Sequence, residues 1–396
     1  MSGILLRLVF KDPKLSPEWV GEGCRILFKD IKEITSGKIL LSGIDNEGKE
    51  VALIGEVNGK HVFAFSMGEQ LQYLLNQEYV IKKKPVLAYL PFHYHKIPFR
   101  IGINKLLMKV KKRKLKIIFP NWPADVSVDV LKHIENVLAS KKRKSFWKRG
   151  KKFAVVLSHD IDTEEGLLSV HKFLELEEKY NFKSTNFVVG NYYKLKEEVL
   201  QFIVKEGHEI ACHGDTHDAL LPYLSEENIQ KRLDKCRGFF KKYGVVGFRA
   251  PSLLISEKLD KNLSTYFKYD SSVTDTELFM PDSEVSGSCT VFPFFKKDVL
   301  RIPITLPMDS SLLFLGYNED QVLELWKKKF DFIKKIGGVA MIVTHAEKHF
   351  SMNETMLVVY EKLLKLLSEE KDAWIVTGKE LYEYVKAEGE NVTKID

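Results

Sequence analysis

Apolar positions along the chain change character near residue 150. Before it they fall in short runs, Lys38-Ile39-Leu40-Leu41-Ser42-Gly43, Val51-Ala52-Leu53-Ile54-Gly55 and His61-Val62-Phe63-Ala64-Phe65, divided by Asn46-Glu47-Gly48 and Asn58-Gly59. Runs this short are strand-sized, and Asn and Gly tolerate the left-handed backbone that a tight reversal needs. They predict a small β-rich or α+β domain over residues 1–140. Within it Pro120-Asn121-Trp122-Pro123 interrupts the pattern, and Ser127 to Leu138 shows a short helical period. Residues 141–152 carry Lys or Arg at most positions and predict a basic linker.

From Phe153 onward strand-like runs alternate with helical ones. Phe153 to Ser158 is continuously apolar, as in a strand covered on both faces, and Glu164 to Tyr180 has the spacing of one amphipathic helix. The alternation continues with Ser184 to Val189 and Glu197 to Lys205, Glu209 to Cys212 and Glu226 to Tyr243, and Val245 to Phe248 and Glu257 to Phe267. It closes with Gly338 to Val343 before Asn353 to Leu367, and Ala373 to Val376 before a helix that Thr377 is placed to cap. Repeated βα units imply parallel strands, because each helix carries the chain back to the same end of the sheet. About seven strands exceed what a simple open sheet needs, so residues 153–396 are expected to form a distorted or incomplete (β/α) barrel.

Functional groups of such a barrel sit where its strands end. The first strand runs into Ser158-His159-Asp160-Ile161-Asp162, two carboxylates two residues apart. In extended chain both lie on one side, so one could ligate a metal while the other takes a proton; a helix-capping role is the plain alternative. The third ends in His213-Gly214-Asp215-Thr216-His217, whose histidines share a face if the chain turns helical there. Two His and one Asp leave open positions on an ion, as catalytic metal sites require. The fourth ends in Arg249-Ala250-Pro251-Ser252, where the guanidinium could hold a carboxylate ionised. The late strand ends in Val343-Thr344-His345, offering a second proton carrier.

In this order the motifs resemble those of the polysaccharide deacetylases, the carbohydrate esterase family 4 or NodB-homology enzymes. The resemblance covers roughly residues 153 to 385, with an Asp-x-Asp variant of the first motif. It implies a metal-dependent N-deacetylase. Asp160 would be the general base, Asp162, His213 and His217 the metal ligands, Arg249 the residue orienting the base and His345 the general acid. The backbone N–H of Ser252 would serve the oxyanion. The implied cofactor is a divalent transition metal, Zn2+ foremost, with Co2+, Ni2+ or Mn2+ as alternatives. Three departures stand out: Ser252 replaces an aromatic residue, His159 replaces a Phe and reads as a packed core histidine, and the family's acidic residue near a Trp has no clear counterpart. Asp309 is a candidate partner for His345, with capping or surface exposure as the competing roles, and Glu347 and His349 fall on the same rim.

Composition narrows the partners. The net charge of +7 is modest, with 61 Lys and Arg against 54 Asp and Glu, and is concentrated in Lys82-Lys83-Lys84, Lys109 to Lys116 and Lys141 to Lys152. Nucleic acid is not expected, and the basic runs read as solvated faces or linkers. No uninterrupted apolar stretch is long enough for a membrane span, and the first residues lack a secretory pattern, so the expected location is the cytoplasm. The four cysteines, Cys24, Cys212, Cys236 and Cys289, lack disulfide-framework spacing. The expected substrate is an N-acetylated sugar or glycan precursor. A non-carbohydrate amide hydrolase of the same fold and a catalytically silent glycan-binding module are the competing readings.

Overall fold

The computed structural model describes residues 3–21, 23–78, 125–141, 146–147, 150–276, 287–314, 316–388 and 392–395. The runs Lys82-Lys83-Lys84 and Lys109 to Lys116, the Pro120-Asn121-Trp122-Pro123 break and half of the expected linker lie outside these residues. The N-terminal runs form β1 (Ile4–Phe10), β2 (Arg25–Phe28), β3 (Lys38–Ile44), β4 (Glu50–Val57) and β5 (Lys60–Phe63), an antiparallel sheet in the order β2-β1-β3-β4-β5. Between β4 and β5 the turn residues Asn58 and Gly59 have φ of 51° and 73°, the left-handed pair a two-residue hairpin demands. Ser66 caps α1 (Met67–Leu75), and Gln70 of that helix docks it on β2 by donating to Leu27 O and accepting from Lys29 N.

Helix α2 (Ser127–Leu138) ties this region to the larger sheet. Its Val128 N–H donates to Cys289 O, and Asp129 accepts from Thr290 Oγ1 and Val291 N. Trp19 meets His133 of α2 edge-on from the other side.

In the C-terminal part the strands are β6 (Phe153–Ile161), β7 (Ser184–Val188), β8 (Glu209–Cys212), β9 (Gly247–Phe248), β10 (Tyr269–Asp270), β11 (Phe294–Lys296), β12 (Val299–Arg301), β13 (Val339–His345), β14 (Ala373–Ile375) and β15 (Thr393–Ile395). Seven of them, β13-β6-β7-β8-β9-β10-β12, make one parallel run. β14 pairs with the first residues of β6 while β7 pairs with the later ones, and β11 turns antiparallel to β12. Beyond β12 the chain crosses the gap: Ile302 N donates to Asp270 O, Ile304 N to Val273 O and Leu306 N to Met341 O. An irregular segment, not a strand, therefore brings the two edges of the curled sheet together. The barrel is distorted as expected.

Helices lie outside, most begun by a side-chain cap. They are α3 (Glu164–Ser169), α4 (His171–Glu178), α5 (Glu197–Lys205), α6 (Glu226–Phe240), α7 (Glu257–Tyr266), α8 (Asp309–Phe314), α9 (Glu319–Ile336), α10 (Glu354–Ser368) and α11 (Gly378–Ala387). Caps come from Thr163, Ser225, Ser256, Asn318, Asn353 and Thr377. The single helix expected over Glu164 to Tyr180 is two, because the turn tightens at Val170, whose carbonyl accepts from both Phe173 N and Leu174 N. Likewise the helix from Glu226 ends at Phe240, passes through a 3-10 turn and stops at left-handed Gly244. Among the described residues no helix is long and apolar enough to cross a membrane.

Candidate active site

Alternation along β6 sorts its end into two faces. His159 points away from the site: its ring stacks on Phe173 at 4.3 Å, Nδ1 meets Thr344 Oγ1 and Nε2 meets Glu177 Oε1 at 2.8 Å. It is a packed core histidine. Ser158 and Asp160 face the other way, toward Arg249. That guanidinium is fully buried and lies over the Phe187 ring; it donates to Asp160 Oδ1 at 2.5 Å, to the Ser158 and Ser271 hydroxyls and to Ser271 O. Burial pushes the Asp160 carboxyl up, but Arg249 and then His213 and His345 outweigh it and hold the group below its usual range.

Asp162, just past β6, meets His213 and His217. Its Oδ1 lies 3.3 Å from His213 Nε2 and 3.5 Å from His217 Nε2, and the three residues offer ligand atoms within 4.8 Å of one another. His213 Nδ1 lies 2.9 Å from Arg249 O, to which it donates, and this bond turns Nε2 toward Asp162. The two histidines do not share a helical face as expected. Residues 213 to 219 form an irregular loop in which Gly214 has φ 81°, and a Cβ there would meet Pro251 at 3.0 Å. Arg232 of α6 pins this loop through Asp215, the Thr216 hydroxyl and both oxygens of Asp218. The chain does not turn helical there, and the donors meet through a braced loop.

His345, the last residue of β13, is the register partner of Asp160. Its Nδ1 lies 2.6 Å from Asp309 Oδ1, and its backbone N–H donates to Asp309 Oδ2 at 2.8 Å. Asp309 is fully buried at the start of α8 and also accepts from the Ser351 hydroxyl. Burial alone would lower the imidazole pKa, yet Asp309, with Asp162 and Asp160 behind it, raises it to about 10. Of the roles the chain left open for Asp309, the structure places it as the partner of His345. Close by, Glu347 is buried, and burial followed by the Asp162 charge lifts its carboxyl to about 8.

Ser252 lies half-buried in the turn after β9, with φ 56° followed by 53° at Leu253, two consecutive left-handed residues that are not glycine. Strain of this kind persists only where the surroundings impose it and collects at functional turns. Sequence reasoning missed Ser158, Ser271, Arg232 and Ser351, which hold the other groups in place. Single hydroxyls and one helical Arg carry no spacing signal.

Residues 148–266 match the profile of the polysaccharide deacetylase family. A 30.6 kDa protein of Geobacillus stearothermophilus is 31% identical over 108 residues, covering 26% of this chain and only 40% of that relative. A peptidoglycan deacetylase of Helicobacter pylori is 21% identical over 245 residues, which span 54% of this chain and 83% of the relative. In fold, the chain is similar to a Mycobacterium smegmatis structure assigned to the polysaccharide deacetylases, with a TM-score of 0.52, 20% identity and coverage of 63% of this chain and 96% of that one.

Proposed function

We propose that this chain is a metal-dependent N-deacetylase of N-acetylated sugars or glycan precursors. One observation carries the reading: Asp160 and His345 end adjacent parallel strands as register partners, one carboxyl held ionised by Arg249 and one imidazole held protonated by Asp309. Two titratable groups with pKa values pushed apart mark a base and an acid.

The residues also fit a metal. Asp162 Oδ1 is buried and accepts no hydrogen bond, although two imidazole Nε2 atoms face it. An uncompensated buried carboxylate oxygen is costly, and Asp with two His is a borderline N/O donor set suited to Zn2+ or its neighbours. When bound there, a divalent ion supplies Lewis-acid polarisation of the acyl oxygen and makes water more acidic. Asp160 takes the proton from the attacking water, and Arg249 keeps that carboxyl oriented and charged beforehand. His345 gives its Nε2 proton to the departing nitrogen, while Asp309 on Nδ1 fixes the ring and offsets its charge. The Ser252 N–H supports the developing oxyanion.

The substrate proposal rests on the family and on the peptidoglycan deacetylase relative. Ser252 supplies no aromatic wall, which favours a soluble precursor over a long chitin chain. A cytoplasmic setting remains part of the proposal; the four cysteines, all buried and none in a disulfide, support it. The test is acetate release from N-acetylglucosamine, its phosphorylated and nucleotide-linked forms, chitin oligomers and a simple acetanilide, with the metal stripped and restored. Metal-dependent release from the sugars is expected. Release from acetanilide alone, or metal-independent release, would overturn the proposal.

A further inference from the structure

Glu347 lies just past the His345 strand end, yet its carboxyl is committed to the other side of the site. Its Oε1 accepts from Asp162 N at 2.9 Å, Thr163 N at 3.0 Å and Thr163 Oγ1 at 3.0 Å. Three donors from two consecutive residues converge on one buried oxygen, so the backbone that carries Asp162 has one orientation in which all are satisfied. A second observation shows that the chain makes room for this contact. A Cβ at Gly166, in the first turn of α3, would sit 2.4 Å from the same Oε1. Gly166 N–H donates to Thr163 Oγ1 at 3.1 Å, so the hydroxyl that caps α3 also donates to Glu347. The Tyr193 hydroxyl donates to Ile161 O at 2.8 Å. The turn at residues 161 to 163 is thus held by both Glu347 and Tyr193, while the Asp162 side chain extends to His213 and His217.

We infer that Glu347 is the positioning residue for Asp162, fixing the turn so that the carboxylate faces both imidazoles. The inference rests on reading Asp162 as a metal ligand. Side chains that orient a ligand from behind govern affinity as well as activity: their loss costs metal binding about 10–100-fold. Glu347 does the same through the main chain, joining the strand end of the acid to that of the ligand.

The experiment uses the full chain with Glu347→Ala, Glu347→Gln and Gly166→Ala, read by chelator competition for Zn2+, by the visible spectrum of the Co2+-loaded protein and by amide hydrogen exchange of the 161–166 segment in the metal-free protein. Glu347→Ala should raise the Zn2+ Kd roughly 10–100-fold, alter the Co2+ bands and speed exchange of this segment. Glu347→Gln keeps an acceptor oxygen and should restore most of the affinity. Gly166→Ala, which displaces Oε1 without removing it, should side with Glu347→Ala. If Glu347→Ala does not fold, Gly166→Ala against Glu347→Gln decides. Wild-type Kd and spectrum in Glu347→Ala or Gly166→Ala, with the wild type binding Zn2+, would overturn the inference alone. A wild type that binds no metal would overturn the ligand assignment and this inference with it.

Discussion

Replacing Asp309 by Asn removes one charge at the point where the His345 imidazolium is held. The rise of the imidazole from 6.5 to about 10, at ~1.36 kcal/mol per unit, corresponds to about 5 kcal/mol of folded-state preference for the charged form. Asp309 is the largest raising cause, with Asp162 and Asp160 supplying the remainder. Asn retains one acceptor for Nδ1, but its amide nitrogen would face the His345 N–H that Asp309 Oδ2 now accepts. A loss of about 3 kcal/mol at pH 6 follows for the metal-free protein. Because the folded pKa lies above the unfolded one, this stabilisation is fully present below pH 6.5 and disappears as pH rises through about 10. The difference between wild type and variant should therefore shrink to about 1 kcal/mol by pH 9. Urea unfolding of both proteins at pH 6, 7.5 and 9, followed by tryptophan fluorescence, measures it. A difference that stays constant or grows with pH would refute the charged pair. In turnover, the alkaline limb of the kcat profile should move to lower pH in the variant, since the acid form of His345 is lost sooner.

Asp160→Asn should reduce kcat by about 10²–10⁴-fold with metal content unchanged, checked by metal analysis beside acetate release; near-normal turnover would remove Asp160 from the chemistry. Arg249→Met breaks a fully buried pair and should cost about 3–5 kcal/mol in unfolding. It should also move the acidic limb of kcat/KM upward, because the Asp160 carboxyl then loses the charge that depresses it. His213→Ala should leave the purified protein with little Zn2+ after reconstitution, whereas an unchanged stoichiometry would place the ion elsewhere. Glu177→Ala strips the partner of His159, His208 and the Tyr360 hydroxyl on the far side of β6 and should lower the thermal midpoint clearly. The surviving folded enzyme should keep its kcat, since this network faces away from the site.

Much of the site was legible because strand-end chemistry is local. Ser158-His159-Asp160-Ile161-Asp162 shows in its own alternation which residues share a face, and the outward packing of His159 follows from the same two-residue period. Likewise the long apolar runs at Phe153 and Val339 could only be covered strands, so the parallel core of the barrel was written in their periodicity. Pairings across large sequence separations were not. Asp309 and His345 are 36 residues apart, Asp162 and Glu347 185 apart, and Asp160 and Arg249 89 apart. No local pattern records which carboxylate a folded sheet will lay beside which cation. The two-residue strand β10 was also too short to carry a period of its own, and it exists because β9 and β12 offer it backbone partners. His213 and His217 show the division most plainly: their spacing puts both rings on one face only if the chain is helical there, and the sequence leaves that condition open. Arg232, reaching in from α6 to Asp215 and Asp218, holds a loop instead, a choice only the tertiary structure could make.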